Sequence, residues 1–214
     1  MALFAAVMPA RESTAGLLLL LLLGDVLAVQ HYGRHGDWSL LRRLVPAVLP
    51  GLVAGTLVLA IVDDLTLRRG IAVILILLVV LQLLSPAGRV SEGGRRWSWP
   101  AMAATGVAAG FTTMVANAAG AVMTLYLVAQ GVEKRRFIGT AAWFFLGVNL
   151  CKLPLSVGLG LVDTSMLWTT LVLAPAVGLG GWAGVHLIRR INQQSFERAV
   201  LVATAVGALA LLLG

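Results

Sequence analysis

The chain has 214 residues, 59% of them hydrophobic and only 12% charged, with a mean hydropathy of +0.95. A soluble domain carries about 25% charged residues, so this composition excludes one and makes lipid the expected solvent. The net charge of +7 sits in short basic clusters between apolar runs. That is a topology signal, and it lacks the aromatic-interleaved stripe of a nucleic-acid binder.

The elements follow in chain order. Residues 1–8 are apolar but too short, and too poor in basic residues, for a cleavable signal peptide. A membrane span needs about 20 apolar residues, and the first clear run is 15–29, nearly solid leucine around Gly24 and Asp25. Runs 44–62 and 70–84 follow; the latter is short unless Arg68 and Arg69 snorkel. A polar stretch then carries Arg89, Arg95, Arg96 and two tryptophans. Residues 100–132 are apolar for 33 positions, interrupted by Thr112, Thr113, Asn117 and Gly120. One helix of that length would rise about 50 Å against a hydrocarbon core of about 30 Å. The spacing therefore predicts two arms broken between Thr112 and Gly120. Runs 137–157, 166–188 and 199–213 complete an all-α membrane protein.

Loops 31–43, 89–96, 134–136 and 189–198 hold three basic residues each, whereas 63–69 is balanced and the loop around Asp163 is acidic. Placing the four basic loops in the cytoplasm works only if 100–132 enters and leaves on the same side, as a re-entrant hairpin with its tip near Asn117.

Shifting the chain by about 124 residues aligns Arg11 with Arg135 and Asp25 with Asn149. One further residue of offset aligns Pro50 with Pro175, and Gly51 and Gly55 with Ala176 and Gly180. The chain then divides into repeat one (1–85), a cytoplasmic loop (86–99) and repeat two (100–214) within a single transmembrane domain. A repeat with an odd number of crossings is inverted, an architecture of secondary transporters. Residues 100–124 have no counterpart before Met1, so the first hairpin is expected to be missing or truncated.

The stretches Gly110-Phe-Thr-Thr-Met-Val-Ala-Asn-Ala-Ala-Gly120, Leu125-Tyr-Leu127, Phe137-Ile-Gly-Thr140, Trp143-Phe-Phe145 and Asn149-Leu-Cys-Lys-Leu-Pro154 resemble the sulfite exporter TauE/SafE family. The resemblance implies two related halves, each opening on a glycine-rich hairpin. It also implies movement of small sulfur-containing or carboxylate anions across the bacterial inner membrane. The absent first hairpin departs from that pattern.

Thr112, Thr113, Asn117 and Gly120 interrupt an apolar segment. Helix ends meeting at mid-membrane expose N–H groups that receive anions, while the plainer reading is that Thr and Asn satisfy broken backbone. Thr113 and Asn117, four apart, are expected on one helix face. Asn149 and Lys152, three apart, share the next one. A lysine within a span is costly, which marks it as functional unless it snorkels to the interface past Pro154. Asp25, the one carboxylate deep in a span, is a proton-coupling candidate, or else wet, or paired with Lys152. His31 and His35 lack a third metal ligand, and His186 reads as interfacial. Asp63 and Asp64 read as loop or cap residues. Trp38, Trp97, Trp99 and Trp168 read as interface anchors.

The substrate site is accordingly expected from Thr112, Thr113, Asn117, Gly120, Asn149 and Lys152, with no cofactor and no metal. The partners are a small anion and the bilayer, with no nucleic acid and with self-association left open. An intramembrane hydrolase lacks a nucleophile–base pair at depth. A non-transporting scaffold or an inactive fragment is the alternative.

Overall fold

The computed structural model describes residues 10–84, 99–130, 132–162, 164–190, 192 and 195. The expectations for 1–9, for the loop at 85–98 with Trp97, and for the last span at 199–213 lie outside them. Within the described residues the chain is helical: α1 (Ala10–Tyr32), a 3-10 turn (Gly33–His35), α2 (Trp38–Ile61), α3 (Asp64–Leu84), α4 (Trp99–Ala116), α5 (Ala119–Ala129), α6 (Lys134–Gly158) and α7 (Thr164–Arg190). Segments of α1, α2, α6 and α7 are long and apolar enough to cross a membrane. The helices overrun the apolar windows at their ends, and side-chain caps mark the starts of α2 and α3. Asp37 caps α2 by accepting from the Ser39 and Leu40 N–H groups, and Asp63 accepts from the Thr66 N–H at the start of α3. Pro46 and Pro50 lie inside α2, Pro154 inside α6 and Pro175 inside α7.

The interrupted segment is two helices, as the length argument requires. Asn117 stands between them at φ 49, left-handed backbone that ends α4. Its N–H donates to the Thr113 carbonyl at 3.0 Å, and the Ala118 N–H donates to the Thr112 carbonyl at 3.1 Å. One expectation is corrected: Thr113 and Asn117 share no helix face, because Asn117 has already left the helix.

Helix directions come from the contacts. A Cβ on Gly106 would strike Ala47 and the Leu44 carbonyl, one on Gly110 the Val48 carbonyl, and one on Gly55 the Met114 side chain. The contacts advance together, so α2 and α4 run parallel from the same face. At Gly51 and Gly110 the opposing carbonyl lies 2.1 Å from the missing Cβ, and only glycine permits that approach. The Arg136 guanidinium reaches Asp37 at 2.5 Å, which puts the start of α6 on that face too. The α4–α5 pair therefore enters and leaves on the face that carries Arg34, Arg42, Arg43 and Arg136: a re-entrant hairpin. With Gly55 against Met114, its break lies level with the last turns of α2, beyond the mid-depth expected from sequence.

Helix α6 runs away from the basic face and α7 returns to it. Gly24 meets Val177 and Leu27 meets Gly181, so α7 runs parallel to α1. The closest packing falls into two groups, α1 with α6 and α7, and α4 with α2 and α5, while α3 packs on α1, α4 and α5. Leu44, Leu52, Leu59, Met114 and Met123 fill the second group, while Leu18 and Phe144 are buried in the first.

Two outcomes follow. In a Cys151→Ala background, His35→Cys and Glu133→Cys should react with an impermeant thiol reagent from one side and Asp63→Cys from the other. Labelling of Glu133→Cys together with Asp63→Cys would sink the hairpin. Separately, Gly51→Ala and Gly110→Ala should lower thermal stability in detergent, each by about 1–3 kcal/mol of overpacking. Gly147→Ala, with nothing within 4 Å of its new methyl, should not.

Candidate functional site

A helix that stops inside a bundle leaves carbonyls without partners. Here Lys152 supplies a further donor, to the Thr113 carbonyl that also accepts the Asn117 N–H. Its side chain crosses from α6 to the end of α4, where Nζ donates to the Thr113 carbonyl at 2.8 Å and to Asn117 Oδ1. The residue is 1% exposed, so it does not snorkel. Its positive charge sits at the negative end of the α4 dipole, where a cation is favoured. Thr113 contributes its carbonyl at this point rather than the hydroxyl that the sequence suggests.

One turn back on α6, Asn149 is 3% exposed, and its amide donates to Asp25 Oδ2 on α1 at 2.7 Å. Asp25 is half-buried and takes Asn149, not Lys152, as its hydrogen-bond partner. Measured from the level where Gly139 meets Tyr32, Asp25 lies about 10 Å and Asn149 about 15 Å into the bundle at about 1.5 Å per residue. Asn149 and Lys152 thus work in two adjoining clusters, Asp25 with Asn149 and Lys152 with Thr113 and Asn117.

Thr112 stands apart. Its hydroxyl donates to the Ala108 carbonyl at 2.7 Å, which spends its proton inside its own helix. Gly120 is exposed in the first turn of α5, with nothing within 4 Å of an added Cβ. The N–H groups that start α5 face the break from the other side, where a helix N-terminus favours anions. The arrangement brings one cation, the Asn117 amide and a helix N-terminus to the hairpin tip, while the Asn149 amide is on Asp25.

The remaining residues singled out in the sequence lie elsewhere. His31 Nδ1 is 2.9 Å from the Leu27 carbonyl and His186 Nδ1 is 2.8 Å from the Trp182 carbonyl, each within its own helix. Trp99 and Trp168 are exposed, as anchors should be, whereas Trp38 also leans on Trp143, ring centroids 5.1 Å apart.

That last contact belongs to a group the sequence reading passed over. Thr140, wholly buried, donates to the Arg136 carbonyl at 2.6 Å and accepts the Asp37 N–H at 2.8 Å. The Trp143 indole N–H donates to the Gly33 carbonyl at 3.0 Å. Gly139 lets the Tyr32 carbonyl and Gly36 N–H approach where a Cβ would clash at 2.5 and 2.8 Å. Asp37 followed by Trp-Ser carries an N-cap signature, which was the one legible signal here.

The Ser39 hydroxyl, then the Ser39 and Leu40 N–H groups and Arg136, hold the Asp37 carboxyl below the usual carboxylate range. The sign follows from that depression. The bound proton is disfavoured in the folded state, so the charge contributes stability above the unfolded value of about 4 and loses it as pH falls through the lower folded value. Asp37→Asn, which can still cap, should destabilise at neutral pH by under about 1 kcal/mol, since Arg136 is exposed. Thermal melts of the two proteins should converge below about pH 4; a gap that persists there would show the effect is not electrostatic.

The profile of the sulfite exporter TauE/SafE family matches residues 1–211. No curated protein and no solved structure matches the chain. The match spans both helix groups, the hairpin included, so this all-helical membrane protein belongs to the sulfite exporter TauE/SafE family of membrane transporters.

Proposed function

We propose that the chain is a multi-pass secondary transporter that exports a small anion across the bacterial inner membrane, and that it catalyses no reaction. The cargo is sulfite, an organosulfonate or a related carboxylate. The observation that carries this reading is Lys152, a buried ammonium at a helix break, hydrogen-bonded to the neutral Thr113 carbonyl and Asn117 amide, with the Asp25 carboxylate acting on it through space. A charge so placed costs several kcal/mol to desolvate unless something returns that energy, and an anion at the break would. Thr113, Asn117, Gly120, Asn149 and Lys152 form the anion site in this reading, with Thr112 shaping the helix beneath it. Asp25, when ionised, repels the anion through Asn149, and its protonation links proton binding to cargo binding.

The halves, 1–85 and 100–214 joined by the 86–99 loop, are inverted repeats in this reading. Opposite directions of α1 and α6, and of α2 and α7, support it. So does the Asp25–Asn149 bond, which joins residues 124 apart, the offset of the repeat. Sites between inverted repeats suit alternating access.

One observation favours a second reading, a structural role without cargo. Two of the three Lys152 donors are already committed to the α4 end, as a cap requires. Purified protein in liposomes with a sulfite gradient separates the two. Wild-type protein should carry sulfite. Lys152→Gln should lose about 1.5–3 kcal/mol of charge-assisted binding, about 10–100-fold in flux at subsaturating sulfite. Asp25→Asn, which keeps the acceptor for Asn149, should retain flux and flatten its pH dependence. Intact wild-type protein without flux of sulfite, a sulfonate or a carboxylate would leave only the structural role.

A further inference from the structure

The two helix groups meet along a seam, and polar contacts cross it at two levels. Deep in the bundle, Lys152 of α6 bonds to Asn117 and to the Thr113 carbonyl of the hairpin. At the basic face, α6 holds the start of α2. Arg136 pairs with the Asp37 carboxylate at 2.5 Å, Thr140 accepts the Asp37 N–H at 2.8 Å, and Trp143 lies against Trp38. The Gly33 carbonyl on Trp143 and the close fit at Gly139 keep the connecting loop seated on the same helix.

Other contacts between these helices differ in kind. The α2–α4 interface is dry, backbone against backbone, and admits no sliding because each glycine faces a carbonyl or a side-chain carbon at under 3 Å from an added Cβ. The contacts at Asp37 are few, directional and partly wet, with Arg136 59% exposed. Such contacts trade readily for water. At the opposite end, the Asp63 and Leu161 hydrogen bonds stay within their own segments. Asp63 caps its own helix, and the Leu161 N–H returns to the Ser156 carbonyl. The hairpin break lies nearer that end.

We infer that Asp37, Trp38, Arg136, Thr140 and Trp143 form the gate on the basic face, closed in this structure, whose opening exposes the Lys152 site to that side. The inference rests on the transport reading for its purpose, but its mechanical content does not. Opening separates α2 from the first turns of α6 while the glycine interface moves as one body. Alternating access needs a barrier of this kind, stable enough to hold and weak enough to break within a cycle.

A reporter cysteine tests it. Thr113→Cys, near-isosteric and buried beside Lys152, is placed in a Cys151→Ala background. It is labelled with a charged, impermeant methanethiosulfonate from each face of sealed vesicles in turn. Asp37→Asn and Arg136→Gln should each speed labelling from the basic face by up to about fivefold, because their ion pair is exposed, and Thr140→Val at least about tenfold. The tenfold factor corresponds to about 1.4 kcal/mol of lost closed-state preference. Labelling from the opposite face should stay the same or slow. An unchanged rate from the basic face in all three variants would overturn the gate. Equal acceleration from both faces would do so too, since that is general loosening. Labelling needs no cargo, so a protein that passes this test and carries no anion refutes the transport reading and leaves the gate standing.

Discussion

A helix broken within the membrane must find donors for its last carbonyls, because lipid offers none. Most of the interior arrangement follows from how that requirement is met at Ala116. Left-handed Asn117 and the Ala118 N–H turn two of the carbonyls inward on the chain itself. Lys152 adds a second donor to the Thr113 carbonyl from a different helix. A donor from α6 fixes α6 against the hairpin tip, and the short connection from α5 to α6 fixes its other end at Asp37. The carbonyl end of α4 and Asn117 Oδ1 replace part of the water around the buried ammonium. The residue that completes the fold is thereby the residue with a charge to offer.

Two kinds of interface divide the labour. Gly51, Gly55, Gly106 and Gly110 bring α2 and α4 into backbone contact, which stabilises through dispersion and leaves no room for adjustment. Contacts of α6 with the hairpin and with the start of α2 are made by hydrogen bonds instead, at Lys152 and at Asp37. Hydrogen bonds exchange partners at small net cost. A membrane protein that has to move is expected to place its dry contacts within bodies and its polar contacts between them. The distribution seen here follows that division.

The architecture was legible in the sequence because it obeys lengths and charges. Thirty-three apolar residues do not fit one crossing, and four basic loops demand a same-side return, so the hairpin could be placed near Asn117 before any coordinates. The polar centre was legible too, since few polar residues lie in apolar runs and each needs a partner. What escaped was how partners are chosen. Nothing in the spacing of Thr113 and Asn117 reveals that the chain turns left-handed between them, or that Thr113 acts through its carbonyl. Helical spacing suggests that Asn149 and Lys152 act together, yet they reach different helices. The Asp37 cluster was invisible for a related reason. Thr140, Gly139 and Trp143 look like ordinary helix residues until a loop 103 positions away lies on them.

The pairing of Asp25 with Asn149 bears on why the two halves are not identical. Under the inverted-repeat reading these are the same position in each half, and their contact places them on the axis that relates the halves. Residues that meet across an axis cannot both be ionised carboxylates, because two like charges at hydrogen-bond distance in a low dielectric exclude each other. Two asparagines would satisfy one another but could not titrate. One aspartate and one asparagine keep a donor and an acceptor for a bond at 2.7 Å and retain a single ionisable group. Under that reading, departure from symmetry at this pair leaves one ionisable side chain on α1, with its neutral counterpart three residues from Lys152.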